Sequence, residues 1–186
     1  MTLVELLITS VILLMLLGIF VWMIVAVKSA YQSSVTRAKV RQDLQTSFLS
    51  ITREMMTSSY GSFTDGTSQS VKAVSFLSAC DRNGIFVTDS SGAPVWKKYV
   101  IFYVPEGSSR LLRKEVYGSF TEALSSDALL AYCTGDGRLI ASSLKDMTCT
   151  PDSATKSCIL SIAAESTNYN GKTDRQSGEM RVFFRN

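Results

Sequence analysis

The chain has 186 residues, which is enough for one domain with an appendage but too short for two full domains. Charge is unevenly spread, because the first 27 residues contain one ionisable side chain, Glu5, while the rest holds all 19 Lys and Arg residues. This split excludes a plain cytosolic globule. The chain has no histidine, which is the usual general base and the commonest metal ligand, so we expect neither an enzyme nor a metal or cofactor site.

An apolar helix is predicted at the N-terminus. Residues 6–27 form a run of 22 residues without a charge, and as a helix they would extend about 33 Å, enough to cross a bilayer. A cleaved secretory signal has a charged start, a shorter apolar run and a small-residue cleavage site, and this segment has none of these. We therefore predict a retained membrane segment at residues 1–27.

Residues 28–57 are predicted to continue the helix as an amphipathic half. Apolar side chains recur at helical spacing, at Tyr31, Val35, Ala38, Leu44, Phe48, Ile51 and Met55. We expect this stripe to pack against a domain. A face for a partner helix is the alternative, chiefly at 28–43, where large apolar groups are fewer.

Residues 58–186 are predicted to form a globular antiparallel β domain. A Ser- and Thr-rich loop at 57–70 precedes the strand candidates 71–78, 84–88, 95–104, 110–117, 138–144, 157–164 and 179–185. Pro105 and Gly107 suit a turn between two of these strands, 135–137 suits another turn, and 121–132 suits a short helix. Short connections favour antiparallel pairing, so the predicted fold class is α+β, with the long N-terminal helix packed on an antiparallel sheet.

Four cysteines lie in the β domain: Cys80, Cys133, Cys149 and Cys158. Their spacing differs from the paired short spacing of a zinc site, and an even number beside a membrane segment suggests disulfides in an oxidising compartment. Of the three possible pairings we favour Cys149–Cys158 as a short clip, with Cys80–Cys133 across the domain. Four buried free thiols are the alternative.

The basic residues and the cysteines favour opposite orientations in the membrane. Lys28, Arg37, Lys39 and Arg41 closely follow the apolar segment, and the positive-inside rule would place that side in the cytoplasm. The cysteines place the same side in an oxidising compartment. The two observations agree if a basic leader once preceded Met1 and was removed, so we expect the chain to be a mature form.

Glu5 is the one charge at the N-terminal end of the apolar segment. A carboxylate costs on the order of 3 kcal/mol at the bilayer centre and much less near the interface. One interpretation places Glu5 at headgroup depth, where it complements the helix N-terminus. The other pairs it with an α-amine, either that of its own chain or that of a neighbouring chain.

Two classes of ligand are not expected. Residues 59–186 carry 14 basic and 13 acidic side chains, a net charge of +1, and a near-neutral domain is a poor nucleic-acid binder. Asn168, Asn170 and Asp174 near Gly171 have oxygen ligands that suit calcium, but their spacing differs from that of an EF-hand loop. We interpret that segment as an exposed polar loop.

The N-terminal residues Met1–Leu6, followed by an unbroken apolar helix, resemble the mature N-terminus of type IV pilins and type II secretion pseudopilins. The resemblance implies that a prepilin peptidase cuts before Met1 and methylates the new amine. It also implies that Glu5 neutralises the N-terminal amine of an adjacent subunit during assembly. Two positions depart from the family, because Met1 stands where phenylalanine is usual and Trp22 where many major pilins have a helix-breaking proline.

Shorter stretches resemble PilW-type minor pilins and GspJ-type pseudopilins. They are Arg41–Leu44, Ile51–Met55, Val74–Leu77, Tyr99–Arg113 with its Leu111-Leu112-Arg113 ending, and the terminal Phe184-Arg185-Asn186. This resemblance implies a minor pilin, a non-enzymatic structural subunit that primes or caps a type IV pilus. The alternatives are a type II secretion pseudopilin at the pseudopilus tip, and a single-span tip adhesin or DNA-uptake binding protein.

The resemblance also implies a location and partners. The chain would be anchored in the inner membrane by one span, with its domain in the periplasm, and would then enter a pilus at the cell surface. Its helix would contact other pilin and minor pilin subunits.

Overall fold

The computed structural model describes residues 2–67, 71–134, 136–168 and 171–184. Its first element is helix α1, Leu3–Thr57, which is 55 residues long and begins at the N-cap Thr2. The first proline of the chain is Pro94, so nothing in the sequence of α1 removes a helical hydrogen bond. The helix ends where Ser58 turns to an extended conformation and donates its N–H to the carbonyl of Met55. The predicted end at about Thr57 is confirmed.

Ten further elements follow α1 among the described residues. A 3₁₀ turn at Tyr60–Ser62 leads into a five-stranded antiparallel sheet whose order follows the chain. Its strands are β1 (Thr64–Thr67), β2 (Lys72–Ser78), β3 (Lys98–Val104), β4 (Leu111–Tyr117) and β5 (Arg138–Ala141). Helix α2, Ser126–Tyr132, lies between β4 and β5 in the chain. A separate three-stranded antiparallel sheet contains β6 (Leu144–Asp152), β7 (Ser157–Thr167) and β8 (Thr173–Phe183). The predicted α+β class is confirmed.

The main core lies between α1 and both sheets. Ile51 and Met55 of α1 are fully buried there with Phe76 of β2, Phe102 of β3 and Leu160 of β7. The helix packs closely against β8 at Gly178. A Cβ atom added at this glycine would lie only 2.9 Å from the ring of Phe48. Burial of this apolar surface holds the C-terminal half of α1 on the domain.

A second, smaller core lies on the other face of the five-stranded sheet. Leu77 of β2 and Tyr103 of β3 pack there with Leu129 and Cys133 from the α2 region. Every residue of β3 is therefore buried, since one face of the strand meets α1 and the other meets α2. Because both faces of β3 are covered, its residues from Tyr99 to Val104 are all apolar or aromatic.

The predicted apolar stripe of α1 is only partly correct. Leu44, Ile51 and Met55 are buried and Phe48 is partly buried. Tyr31, Val35 and Ala38 are exposed. On the N-terminal side of Val40, the helix face that meets the domain is polar. It consists of half-buried residues spaced three or four apart, namely Ser29, Ser33 and Thr36. The first part of the amphipathic half thus turns a polar face to the domain and an apolar face outward.

Several strand predictions need correction. The candidate at 84–88 forms only isolated bridges, Cys80 to Phe86 and Thr88 to Pro94. The candidate at 138–144 is divided between β5 and β6, and β8 begins at 173 rather than 179. Strands β6 and β1 were not predicted in full, and β1 lies inside the predicted 57–70 loop. The predicted 121–132 helix begins only at 126, and the predicted 135–137 turn falls partly outside the described residues.

Candidate functional site

The N-terminal half of α1 projects from the domain with its apolar side chains uncovered. All large apolar residues from Leu3 to Val27 are at least 44% exposed. Within the described part of the chain, α1 is the one helix long and apolar enough to cross a membrane. Thr9 and Ser10 place hydroxyls in this segment, and both donate to helix carbonyls one turn back, which satisfies them without water. The segment has the length and surface of a single-pass membrane anchor.

Glu5 occupies the third position of α1 and forms a capping box with Thr2. The Thr2 backbone N–H donates to Glu5 Oε2 at 2.9 Å, and the Glu5 N–H donates to Thr2 Oγ1 at 3.4 Å. In the single chain the carboxylate therefore complements the helix N-terminus, which is the first of the two sequence-based interpretations. Met1, the predicted methylated residue, lies outside the described residues, so pairing of Glu5 with an amine stays a prediction.

Three charged side chains of the C-terminal half of α1 make polar contacts with the domain. Arg37 Nε lies 3.2 Å from Asp174 Oδ1 on β8. Asp43 Oδ2 accepts hydrogen bonds from the Ser142 N–H at 3.1 Å and from the hydroxyls of Ser142 and Ser143, between β5 and β6. The third contact joins Glu54 to β4. The contacts extend from 37 to 54, about 25 Å of helix. Any displacement of α1 along its axis would break them together.

The contact at Glu54 belongs to a chain of alternating charges. Arg113 Nη2 lies 2.7 Å from Glu54 Oε1, and Arg113 Nη1 lies 2.5 Å from Glu115 Oε1. Glu115 also binds Lys98 Nζ at 3.0 Å and accepts from the Tyr117 hydroxyl. All four charged side chains are less than a quarter exposed. A buried charge is tolerated when it is paired in this way.

The network shifts the acidity of two of its members. Burial raises the pKa of the Glu115 carboxyl, but the hydrogen bonds from Tyr117 and Lys98 and the charges of Arg113 and Lys98 together lower it by more, so the pKa lies below its ordinary value. The same hydrogen bond to Glu115 raises the pKa of the Tyr117 hydroxyl. Glu115 is therefore ionised and Tyr117 protonated at neutral pH.

Sequence reasoning did not single out Asp43 or the Glu54–Arg113 pair as contacts. A signal was present, because Asp43 and Glu54 fall on the helix face that carries the buried positions Val40, Leu44 and Ile51. An acid on the buried face of an amphipathic helix requires a partner. The partner itself cannot be read from the neighbouring residues, because Ser142 and Arg113 lie far from the helix in the chain.

The cysteines form one disulfide, not two. Cys149 on β6 and Cys158 on β7 are bonded, with their Cα atoms 6.2 Å apart, and both are buried in the main core. Cys80 and Cys133 are free, so the predicted Cys80–Cys133 bond is wrong. The two residues lie on opposite faces of the five-stranded sheet.

The positions of the two free thiols explain why they do not meet. Cys133 packs in the α2 core, where its Sγ lies 3.2 Å from the Leu129 carbonyl oxygen. Cys80 lines a cleft beside the end of α1 with Glu54 and Arg113. Burial raises the pKa of Cys133 to about 11, so this thiol is neutral and poorly reactive near neutral pH.

The described residues include no group of three His, Cys, Asp or Glu side chains placed to hold a metal ion. Asp174, one of the rejected calcium candidates, instead pairs with Arg37. The features that remain as candidates for function are the uncovered apolar half of α1, its capping carboxylate Glu5 and the surface of the attached domain. No protein-family model, curated protein or solved structure matches the chain.

Proposed function

We propose that the chain is a minor pilin, a structural subunit that is held in a membrane by α1 and enters a type IV pilus through the same helix. The observation that carries the proposal is the division of one unbroken helix into two parts. Residues 3–27 are exposed along their whole length, whereas the part from Val40 to Met55 is fixed to the domain by buried apolar and ionic contacts. Such a helix can transfer between lipid and a bundle of similar helices while the domain stays folded.

Glu5 supports this proposal through its position. In the single chain its carboxylate accepts one backbone hydrogen bond, from Thr2, and a carboxylate has room for further donors. A neighbouring chain's amine could bind there without displacing the cap. In a dry bundle of apolar helices that pair would compensate both charges.

The disulfide supports the proposed placement of the domain. Cys149–Cys158 requires an oxidising compartment during folding. We therefore place the domain in the periplasm while α1 spans the inner membrane, and later on the cell surface within the pilus. The proposed partners are other pilin subunits, with the prepilin peptidase acting on the N-terminus.

The test compares three variants expressed in the native host: Glu5→Ala, Glu5→Gln and Thr2→Ala. Chain is measured in the membrane fraction and in filaments sheared from the cells. All three variants should reach the membrane at wild-type amounts, because removing polar groups does not oppose insertion. Glu5→Gln keeps an acceptor for the Thr2 N–H but has no charge, and Thr2→Ala keeps the charge but loses the capping hydroxyl.

If Glu5 pairs with an amine during assembly, both Glu5 variants should be depleted in filaments at least tenfold, since the uncompensated partner charge costs about 3–5 kcal/mol. Thr2→Ala should be incorporated normally. If Thr2→Ala and Glu5→Ala were both depleted in filaments while Glu5→Gln was not, Glu5 would act only as a helix cap. Wild-type chain absent from sheared filaments but present in periplasmic ones would indicate the pseudopilin alternative.

A further inference from the structure

A cleft of about 660 Å³ opens beside the C-terminal end of α1. Its charged lining comes from four elements or loops: Arg53 and Glu54 on α1, Lys98 on β3, Arg113 on β4 and Arg138 on β5. Four of these five side chains are cationic. The cleft lies at the far end of α1 from the membrane segment, so it is open whether or not the apolar half of α1 is covered.

The positive charge of the cleft is only partly neutralised. Lys98 and Arg113 are engaged by Glu115 and Glu54 in the network described above. Arg53 and Arg138 are exposed and have no acidic partner among the described residues. Two guanidinium groups, each with several donors, thus face the cleft without an acceptor in the described part of the chain.

The sheet places two of these cations directly against each other. Arg138 of β5 is the antiparallel partner of Arg113 on β4. Like charges at directly opposite positions destabilise a sheet. Arg113 is compensated by two acids, but Arg138 is not, so the fold retains an unfavourable pair at the wall of a cleft. Locally unfavourable contacts of this kind are found mainly at functional sites, such as binding sites.

Two exposed apolar side chains, Ile85 and Phe86, stand on a loop at one edge of the cleft. Ile85 is 62% exposed and Phe86, which lines the cleft, is 39% exposed. Both stand on a tight loop in which Asp81 Oδ1 accepts from the N–H groups of Asn83 and Ile85. Gly84 makes this loop possible with a φ of +79°. Exposed apolar side chains beside a charged cleft add apolar contact area for a partner protein.

We propose that this cleft is a docking site for an acidic segment of a partner protein. Carboxylates of the partner bind Arg53 and Arg138 in the bidentate manner that guanidinium groups favour, and apolar side chains of the partner cover Ile85 and Phe86. A phosphate backbone is disfavoured, because the net charge of residues 59–186 is only +1. The proposal does not depend on the filament proposal, since it concerns the domain and the end of α1 that is attached to it.

The experiment uses the full chain in detergent micelles at physiological salt. The probe is the peptide Gly-Glu-Glu-Leu-Glu-Glu-Gly labelled with fluorescein, and the reference is the same peptide with Gln in place of Glu; affinity is read from fluorescence anisotropy. The test variant is Arg53→Gln/Arg138→Gln. The matched control is Arg41→Gln/Arg175→Gln, which removes one exposed helix arginine and one exposed strand arginine elsewhere. Arg41 is twelve residues, or about 18 Å, from Arg53 along α1.

The acidic peptide should bind the wild type at least tenfold more tightly than the neutral peptide. The test variant should lose at least tenfold in affinity and the control less than twofold. Saturating peptide should also slow alkylation of the cleft thiol Cys80 at least threefold and leave that of Cys133 unchanged. Each variant is first shown by circular dichroism to be folded.

Four results would overturn the proposal. They are no preference for the acidic peptide, equal losses in the two double variants, no protection of Cys80, and tighter binding of a single-stranded oligothymidylate that is lost in the test variant. The second result would mean general electrostatic attraction, and the last would identify a nucleic-acid site.

Discussion

Arg113 on β4 binds Glu54 near the end of α1, with Nη2 and Oε1 2.7 Å apart. The other terminal nitrogen of the same guanidinium binds Glu115 on its own strand. One cation thus joins the helix to the sheet across 59 positions of the chain. Both Arg113 and Glu54 are less than one fifth exposed, so the pair is shielded from solvent and matters more than a surface ion pair.

Arg113→Gln should lower the free energy of unfolding by about 3–5 kcal/mol, because Glu54 is left as an uncompensated charge in a largely buried place. Urea unfolding of the full chain in detergent micelles, followed by circular dichroism, measures the loss. Lys145→Gln is the control: Lys145 is 59% exposed and its partner Glu165 29%, so loss of this surface pair should cost about 0–1 kcal/mol. Equal losses in the two variants would contradict the larger contribution to the free energy of unfolding that is assigned to the Arg113–Glu54 pair.

Glu115→Gln tests the pH dependence of the network. The pKa of Glu115 lies below its ordinary value of 4.5 in the folded chain. Its contribution to stability is therefore fully present above that ordinary value and is lost as pH falls through the folded pKa. We expect Glu115→Gln to be less stable than wild type at neutral pH, with the difference shrinking at pH below about 4.5. Urea midpoints across this range measure it, and a constant difference would contradict the assignment.

Asp43→Ala should destabilise the domain by about 1–3 kcal/mol, because the Ser142 N–H and the hydroxyls of Ser142 and Ser143 lose their acceptor. Asp43→Asn is the matched control, since its amide oxygen keeps one acceptor at the same place, and its loss should be smaller. Urea unfolding of both variants provides the comparison. The prediction fails if Asn is as damaging as Ala.

The free thiols should differ in reactivity. Alkylation of the native chain at mildly alkaline pH should modify Cys80 well before Cys133, because the buried Cys133 thiol has a pKa of about 11. In denaturant the two rates should become similar, and two cysteines should stay protected until a reductant is added, since Cys149 and Cys158 are bonded. Peptide mapping by mass spectrometry identifies each site. A native chain with no reactive thiol would restore the rejected Cys80–Cys133 bond.

The parts of the fold that were predicted correctly depend on local patterns. The end of α1 follows from the amphipathic period, and the β3–β4 hairpin follows from two strand candidates on either side of a turn at Pro105 and Gly107. Strand β6 was missed because Lys145, Asp146 and Pro151 break the expected pattern, and the strand forms through its ladder with β7. The strand prediction at 84–88 is wrong because it considers only the residue types within that segment. The Asp81 side chain accepts hydrogen bonds from the backbone N–H groups of Asn83 and Ile85, and these bonds form a loop instead.

The sequence by itself determined the features that neighbouring residues encode: an uncharged apolar helix with Glu5 at its start, the length of that helix and the α+β class. Only the tertiary structure decided which distant residues meet. It paired Glu54 with Arg113 and Asp43 with Ser142, and it bonded one pair of cysteines while placing the other pair on opposite faces of a sheet. The reason is physical: helix period and turn chemistry act over a few residues, whereas ion pairs and disulfides depend on the register and stacking of strands far apart in the chain.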